Sequence, residues 1–321
     1  MAANLQSMFY AGQVPWHGQG TAVESEVTSG AALKLGGIDW EVERQPIFLA
    51  SPIDESIRGL QVANNFAIVR KDNGVALGVV GNRFKEIQNS QAFEFMDALV
   101  GERLAIYHTA GALGQGEKVW LLAKIPTPIE LPGGDRVDPY MLLVNFHDGS
   151  GSFKILNTPI RVVCQNTLNA ALRGASQTFF VRHTGNFRSR LDAAKTHFAS
   201  VTRYFEVFRE TMTRLAAERF TDQQMKDMLD VICPVTPAME GKTLTMRQGY
   251  RDAITTLFAG AEKGFSEFEC VRGTKWGAFN AFAEYETWHR PTRGDNESYL
   301  NSVWMGSRQT NTTHALELLT A

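Results

Sequence analysis

The sequence predicts an α+β fold: a mixed or antiparallel sheet packed by helices, with one long amphipathic helix and a mainly helical C-terminal subdomain. Three observations point there. Through the first two hundred residues strand-like and helix-like stretches follow one another, without the regular long crossover helices that a parallel α/β sheet requires. From Leu191 the apolar spacing changes to that of a single long helix. After Thr221 the pattern becomes mainly helical, broken by Pro234 and Pro237. A chain of 321 residues exceeds one typical domain. The expected division is an α+β core over 1–220, which includes a helix over 188–219, and a helical subdomain over 221–321.

In chain order, Ser29 is placed to cap a short helix through Ala31 to Leu35. Trp40, Val42, Ile47 and Leu49 alternate as in a strand, and Gln61 to Arg70 reads the same way. Lys71-Asp72-Asn73-Gly74 supplies a hairpin turn, because Asn-Gly tolerates the positive φ of a tight reversal; Val75 to Val80 is the return strand. Arg83 to Ile87 is expected as a further strand, and Asn89 as the cap of a helix with Phe93, Met96 and Val100 on one face. Leu104 to Thr109 and Lys118 to Ile125 are strands joined by a glycine-rich turn, and Tyr140 to Phe146 reads as a buried strand after a proline-punctuated loop. Arg161 to Cys164 is expected as a strand, Asn166 as the cap of a helix over Thr167 to Leu172, and Gln177 to His183 as another strand.

Leu191, Ala194, Phe198, Val201, Phe205, Phe208, Met212 and Leu215 recur at alternating intervals of three and four, which places them on one helical seam. That seam has to be covered, by the rest of the chain or by a second copy. Beyond it, Asp222 is placed to cap a helix to Val231; Thr243 to Phe258, Trp276 to Trp288 and Thr313 to Leu319 follow as helices.

Composition excludes several classes. Hydrophobic residues make up 44% and charged residues 21%, which is neither a disordered tail nor a coiled-coil rod. Cys164, Cys233 and Cys270 form no CxxC pair, so neither a disulfide framework nor a standard four-ligand zinc site is available. No apolar run approaches the roughly 18 residues that span a bilayer, and the first twenty residues carry Gly12, Pro15, Gly18 and Gly20 where a signal peptide needs an apolar stretch. The expected location is the cytoplasm of a host cell, away from membranes.

Candidate catalytic motifs fail on detail. Gly111-Ala112-Leu113-Gly114-Gln115-Gly116-Glu117-Lys118 resembles a phosphate loop only loosely: Val119 stands where a hydroxyl is needed, and a strand follows where a helix should. Cys164 lies in an apolar stretch that solvates a thiolate poorly, which disfavours a Cys164–His183 pair, and there is no Gly-x-Ser-x-Gly elbow. His147-Asp148 could contribute to a metal-dependent nuclease or phosphohydrolase, with His108 and His183 as further ligands, but no repeated His-Asp spacing accompanies them. No catalytic residue, cofactor or metal is therefore assigned.

The net charge of −2 conceals an uneven distribution. Residues 151–220 hold 11 Lys and Arg against 4 Asp and Glu, whereas the segments on either side are acidic. Between Asp148 and Asp192 lie 43 residues without one carboxylate. This stretch contains Lys154, Arg161, Arg173, Arg182, Arg188 and Arg190, interleaved with Phe153, Phe179, Phe180 and Phe187 and with amides including Asn157, Gln165 and Asn166. Guanidinium groups grip phosphates, aromatic rings stack on bases, and amides reach sugar or base edges. Phe179 and Phe180, as strand neighbours, point to opposite faces, which leaves Phe187 as the expected stacking platform. Lys154, Arg161, Asn166, Arg173, Arg182, His183, Phe187, Arg188 and Arg190 form the candidate interface for single-stranded DNA.

Glu86-Ile87-Gln88-Asn89 and Val163-Cys164-Gln165-Asn166 share a strand, Gln-Asn, helix pattern. The run from Thr158 to Leu168, together with Glu86 to Asn89, Thr109 to Leu113, His147 to Ser150 and Asn280 to Tyr285, resembles the phage- and plasmid-borne family called domain of unknown function 932. The resemblance extends over nearly the whole chain. It implies a mobile-element origin and, through it, a role in DNA metabolism. In outline the α+β domain with its basic strand-helix region is also similar to Rad52-like single-strand annealing proteins. Such proteins grip phosphates without catalysis and leave bases free to pair. The expected function is single-stranded-DNA binding or annealing in recombination or replication. The protein is expected to act as a homo-oligomer through helix 188–219, with phage or host recombination proteins as further partners. The alternatives are a nuclease centred on His147 and Asp148, or a host-factor-binding protein.

Overall fold

The computed structural model describes residues 5–11, 21–23, 27, 29–50, 58–101, 106–161, 178–185, 187–260, 271–291, 299, 302–303 and 306–321. The fold is α+β. The chain divides into two compact units, the first made of Met1–Pro126, Met141–Leu156 and Thr178–Ala199, the second of Thr127–Tyr140, Asn157–Gln177 and Ser200–Ala321.

The strands are β1 (Leu5–Ala11), β2 (Thr21–Val23), β3 (Val42–Ala50), β4 (Arg58–Arg70), β5 (Ala76–Gly81), β6 (Ile106–Leu113), β7 (Lys118–Lys124), β8 (Ile129–Glu130), β9 (Arg136–Phe146), β10 (Phe153–Arg161) and β11 (Thr178–Val181). The larger sheet runs β11-β10-β9-β7-β6-β1-β2, with β8 beside β9, and β3-β4-β5 form a separate three-stranded sheet. Antiparallel β1–β6 and β6–β7 pairs and a parallel β1–β2 pair make the larger sheet mixed. Helices α1 (Ser29–Leu35) and α2 (Asn89–Gly101) belong to the first unit, and α3 (Phe187–Ala217) runs from the first into the second.

In the first unit Phe9, Ile38, Ile68, Phe93, Met96, Tyr107, Leu121 and Leu143 form the buried core. The Lys71-Asp72-Asn73-Gly74 hairpin forms as expected, with Gly74 at φ 74° and its N–H bonded to the Arg70 carbonyl. The glycine-rich hairpin turns at Gly114–Glu117, while Gly111 itself lies in β6. A Cβ on Gly111 would meet the Ser7 carbonyl at 2.2 Å, so the missing side chain lets β1 approach. Gly78 has the same role in β5, where a Cβ would meet the Asp148 backbone at 2.6 Å.

Two expectations in this unit are corrected. Arg83 to Ile87 is an irregular connection. Its backbone bonds to scattered partners, Lys85 N–H to the His183 carbonyl at 2.7 Å and the Ile87 carbonyl to Asn145 at 2.9 Å, so no ladder develops. Asn89 does begin α2, but its side chain turns into the core.

The second unit contains the later part of α3, then α4 (Asp222–Ile232), α5 (Gly241–Ala259), α6 (Lys275–Glu284) and α7 (Ser307–Thr320). The cap of α4 is Thr221, where Asp222 was expected: the Thr221 hydroxyl accepts from the Gln224 N–H while the Gln224 side chain returns to the Thr221 N–H. Helix α6 is shorter than its apolar pattern suggests, because Tyr285–His289 continue as a π-helical turn. Val201, Phe205, Phe208, Met212 and Leu215 of the α3 seam are all buried within the chain. That part of the seam is therefore core and not a free surface for a second copy; the side chains of Leu191, Ala194 and Phe198 lie outside the described residues. Trp276 is fully buried and its indole N–H donates to Asp135 Oδ2 at 2.9 Å, which pins α6 to the segment between β8 and β9. Among the described residues no helix is long and apolar enough to cross a membrane.

Trp276→Phe keeps the aromatic bulk and removes the donor to Asp135. A loss of about 1–3 kcal/mol is expected, read as a lower midpoint in urea unfolding followed by circular dichroism.

Candidate nucleic-acid interface

The site is built on a buried polar network in the first unit. Gln88 extends β3 by side-chain mimicry: its Nε2 donates to the Val42 carbonyl at 2.8 Å and its Oε1 accepts from the Val42 N–H at 2.9 Å. The next residue, Asn89, donates through Nδ2 to the carbonyls of Ile38 at 3.0 Å and Trp40 at 3.3 Å. Two acceptors fix the orientation of that amide and leave Oδ1 facing His147 Nε2 at 2.8 Å. His147 therefore carries its proton on Nε2 and presents a bare lone pair at Nδ1, which is buried without a hydrogen-bond partner. Asn145, two residues earlier on β9, donates to the Ile87 carbonyl. The Gln-Asn pair thus joins the small sheet, the start of α2 and strand β9. The second Gln-Asn pair, Gln165-Asn166, lies outside the described residues.

Burial pushes the His147 pKa down to about 3, with His183 and Arg70 adding to the shift. The Trp40 ring lies 5.3 Å from the imidazole, and the Arg70 guanidinium stacks over Trp40 at 4.2 Å. Arg70 is itself nearly buried and paired to both oxygens of Asp72, at 3.0 and 2.6 Å. The carboxylate of Asp148 closes its own turn by accepting from the Ser150 N–H and hydroxyl. Among the described residues no group of three His, Cys, Asp or Glu side chains is placed to hold a metal ion. His147 itself is buried, with its Nε2 engaged by Asn89.

Above this network the connection after β5, the β9–β10 turn and the segment after β11 enclose an open cleft of about 520 Å³. It is lined by Asn82, Arg83 and Phe84, by Gly149, Gly151 and Ser152, and by Arg182, His183 and Thr184. Arg83 and Arg182 are exposed on it. Phe84 stacks on His183 with ring centroids 4.5 Å apart and planes within 8°. His183 Nδ1 donates to the Lys85 carbonyl at 3.1 Å, and burial lowers its pKa, so it is a neutral wall of the cleft. Beside the cleft, β10 and β11 pair antiparallel with Lys154 directly opposite Phe180, which puts the two side chains on one face. Phe180 is 58% exposed on the edge strand. The Lys154 ammonium sits 5.6 Å from the Phe146 ring centroid.

Of the nine residues singled out from the sequence, Arg182 and His183 meet in the cleft and Lys154 lies on the adjoining strand pair. Arg161 ends β10, and Phe187, Arg188 and Arg190 open α3, but their side chains are outside the described residues, as are Asn166 and Arg173 entirely. Phe153 and Asn157 are core residues and not interface groups. Arg83 and Phe84 were missed, because they sit 99 residues before Arg182 and His183 respectively and outside the carboxylate-free stretch. Phe180 is the aromatic that strand parity places outward, with Val181 buried behind it.

The folded His147 refuses a proton that the unfolded chain accepts near its ordinary pKa of 6.5. Stability contributed by the neutral imidazole is thus complete above that value and lost as the pH falls toward about 3. Urea midpoints between pH 7 and pH 5 should fall in the native protein and fall less in His147→Gln. The difference in slope is at most about 1.4 kcal/mol per pH unit. His183, shifted in the same direction, is common to both proteins and cancels in the comparison.

Comparison with curated proteins finds no match, and comparison with solved structures finds none. A family model described as a domain of unknown function, DUF932, matches residues 76–304, a span that contains Gln88-Asn89, Asn145, His147 and the cleft. With well over half of its length inside that match, this chain belongs to the DUF932 family.

Proposed function

We propose that this protein binds single-stranded nucleic acid, as a mobile-element-encoded single-stranded-DNA-binding or annealing protein that acts through a basic cleft without catalysis. The observation that carries the reading is one continuous neighbourhood in the first unit: two exposed arginines, Arg83 and Arg182, on one open cleft, with an exposed Phe180 opposite Lys154 on the adjoining strands. Guanidinium groups at a cleft rim track phosphates, and an aromatic face exposed beside them receives a base whatever its sequence. The rigid floor supports this use, since the cleft loops are tied by the Lys85–His183 exchange and by the Asn145 bond to Ile87. Several copies lined along one strand belong to the same reading, with contacts outside the buried Val201–Leu215 seam.

Fluorescence anisotropy with a labelled single-stranded oligonucleotide, titrated at several salt concentrations, tests the proposal. The native protein should lose affinity steeply with salt. Arg83→Gln with Arg182→Gln should flatten the slope of log K against log salt by roughly 1.4, two phosphates at about 0.7 each. Phe180→Ala should weaken binding by about 1–3 kcal/mol with the salt slope unchanged. Absent or salt-insensitive binding by the native protein refutes the reading.

A further inference from the structure

The second unit holds a separate cavity of about 790 Å³ between α5, the π-helical turn and α7. Its volume falls within the range of small-molecule sites. Arg247, Arg290 and Arg308 line it, together with Tyr250, Tyr285 and Met246. We propose that this cavity is a binding site for a phosphate monoester of mononucleotide size, its phosphate held by the arginines and its planar body lying against the tyrosines.

The charge balance favours a dianion. Glu286 is the carboxylate that Arg290 pairs with, at 2.8 Å, and it lies almost wholly buried behind the wall. Three guanidinium groups against that one carboxylate leave a surplus of two positive charges around the cavity, which matches an ionised phosphate monoester and exceeds what a monocarboxylate neutralises. Arg247 donates to the Pro234 carbonyl at 2.6 Å, and Arg308 donates to the carbonyls of Glu286 and, at 2.7 Å, Arg290. Carbonyls orient these side chains without cancelling their charge. Burial disfavours the Arg308 cation, and an anion in the cavity offsets that cost.

The walls are pre-organised. Glu286 accepts from Asn311 Nδ2 at 2.8 Å and from the Tyr250 hydroxyl at 3.4 Å as well as from Arg290, so one buried carboxylate positions three lining side chains. The Tyr250 and Tyr285 rings meet edge to face at 4.8 Å and brace each other. The π turn, closed by the Arg290 N–H bonding the Tyr285 carbonyl five residues back, widens the helix between the two lining residues Tyr285 and Arg290. Such turns store a local distortion that recurs at functional sites. Met246, 54% exposed, supplies an adaptable apolar lip.

Isothermal titration of the full chain with AMP, adenosine and inorganic phosphate tests the site. AMP should bind saturably at micromolar to sub-millimolar concentration, with adenosine and phosphate each at least tenfold weaker. Arg247→Gln, which removes a half-buried charge and leaves the Glu286 bonds in place, should weaken AMP at least tenfold. The Arg83→Gln, Arg182→Gln protein should bind AMP as the native protein does. Absence of AMP binding at millimolar concentration overturns the proposal. So does AMP binding that Arg247→Gln leaves unchanged, or that the cleft substitutions abolish, since either places the nucleotide elsewhere. Failure of DNA binding in the earlier titration leaves these outcomes unaffected.

Discussion

The hydrogen bond from His147 to Asn89 is the constraint on which the first unit's functional surface depends. It is short, fully buried and directional, and it exists only because two backbone carbonyls, those of Ile38 and Trp40, lock the Asn89 amide. With Gln88 holding Val42 and Asn145 holding Ile87, side chains stand in for the backbone ladder that the 82–88 segment lacks. A neutral imidazole completes that network, and a charged one would bring a second donor to a place without an acceptor. The cleft loops rest directly on this floor.

Two arginine environments stand in contrast in the first unit. Arg70 is buried, saturated by a carboxylate, a carbonyl and an aromatic ring, and acts as a cross-link. Arg83 and Arg182 stand in solvent on a preformed concavity, where their charge acts on whatever approaches. A count of basic residues along the chain treats both kinds alike. Burial and partners separate them.

The helical unit follows a different logic. Its order comes from apolar helix faces and from local caps, such as the reciprocal Thr221–Gln224 box, with the Trp276–Asp135 bond as a long-range tether. At its centre a carboxylate, Glu286, is 2% exposed and is balanced by Arg290 and two neutral donors. A buried ion costs several kcal/mol to desolvate, and the bonds from Arg290, Asn311 and Tyr250 offset that cost for Glu286. Those donors come from three elements, Tyr250 from α5, Asn311 from α7 and Arg290 from the end of the π turn.

Periodicity and turn chemistry alone determined the α+β class, the Asn73-Gly74 hairpin, the β6–β7 hairpin and the long helix with its seam, because each depends on residues close in sequence. Tertiary structure decided the rest. Asn89 has the composition of a helix cap, yet His147, 58 residues away, claims its side chain. Thr221 and Asp222 are both good caps, and only the reach of Gln224 selects the first. Arg83 joins Arg182 in one cleft across 99 positions of chain, and Glu286, unremarkable on a helical wheel, becomes the centre of a buried network. Spacing along the chain encodes local geometry, whereas a site is made by residues that meet only after the strands have paired and the core has closed.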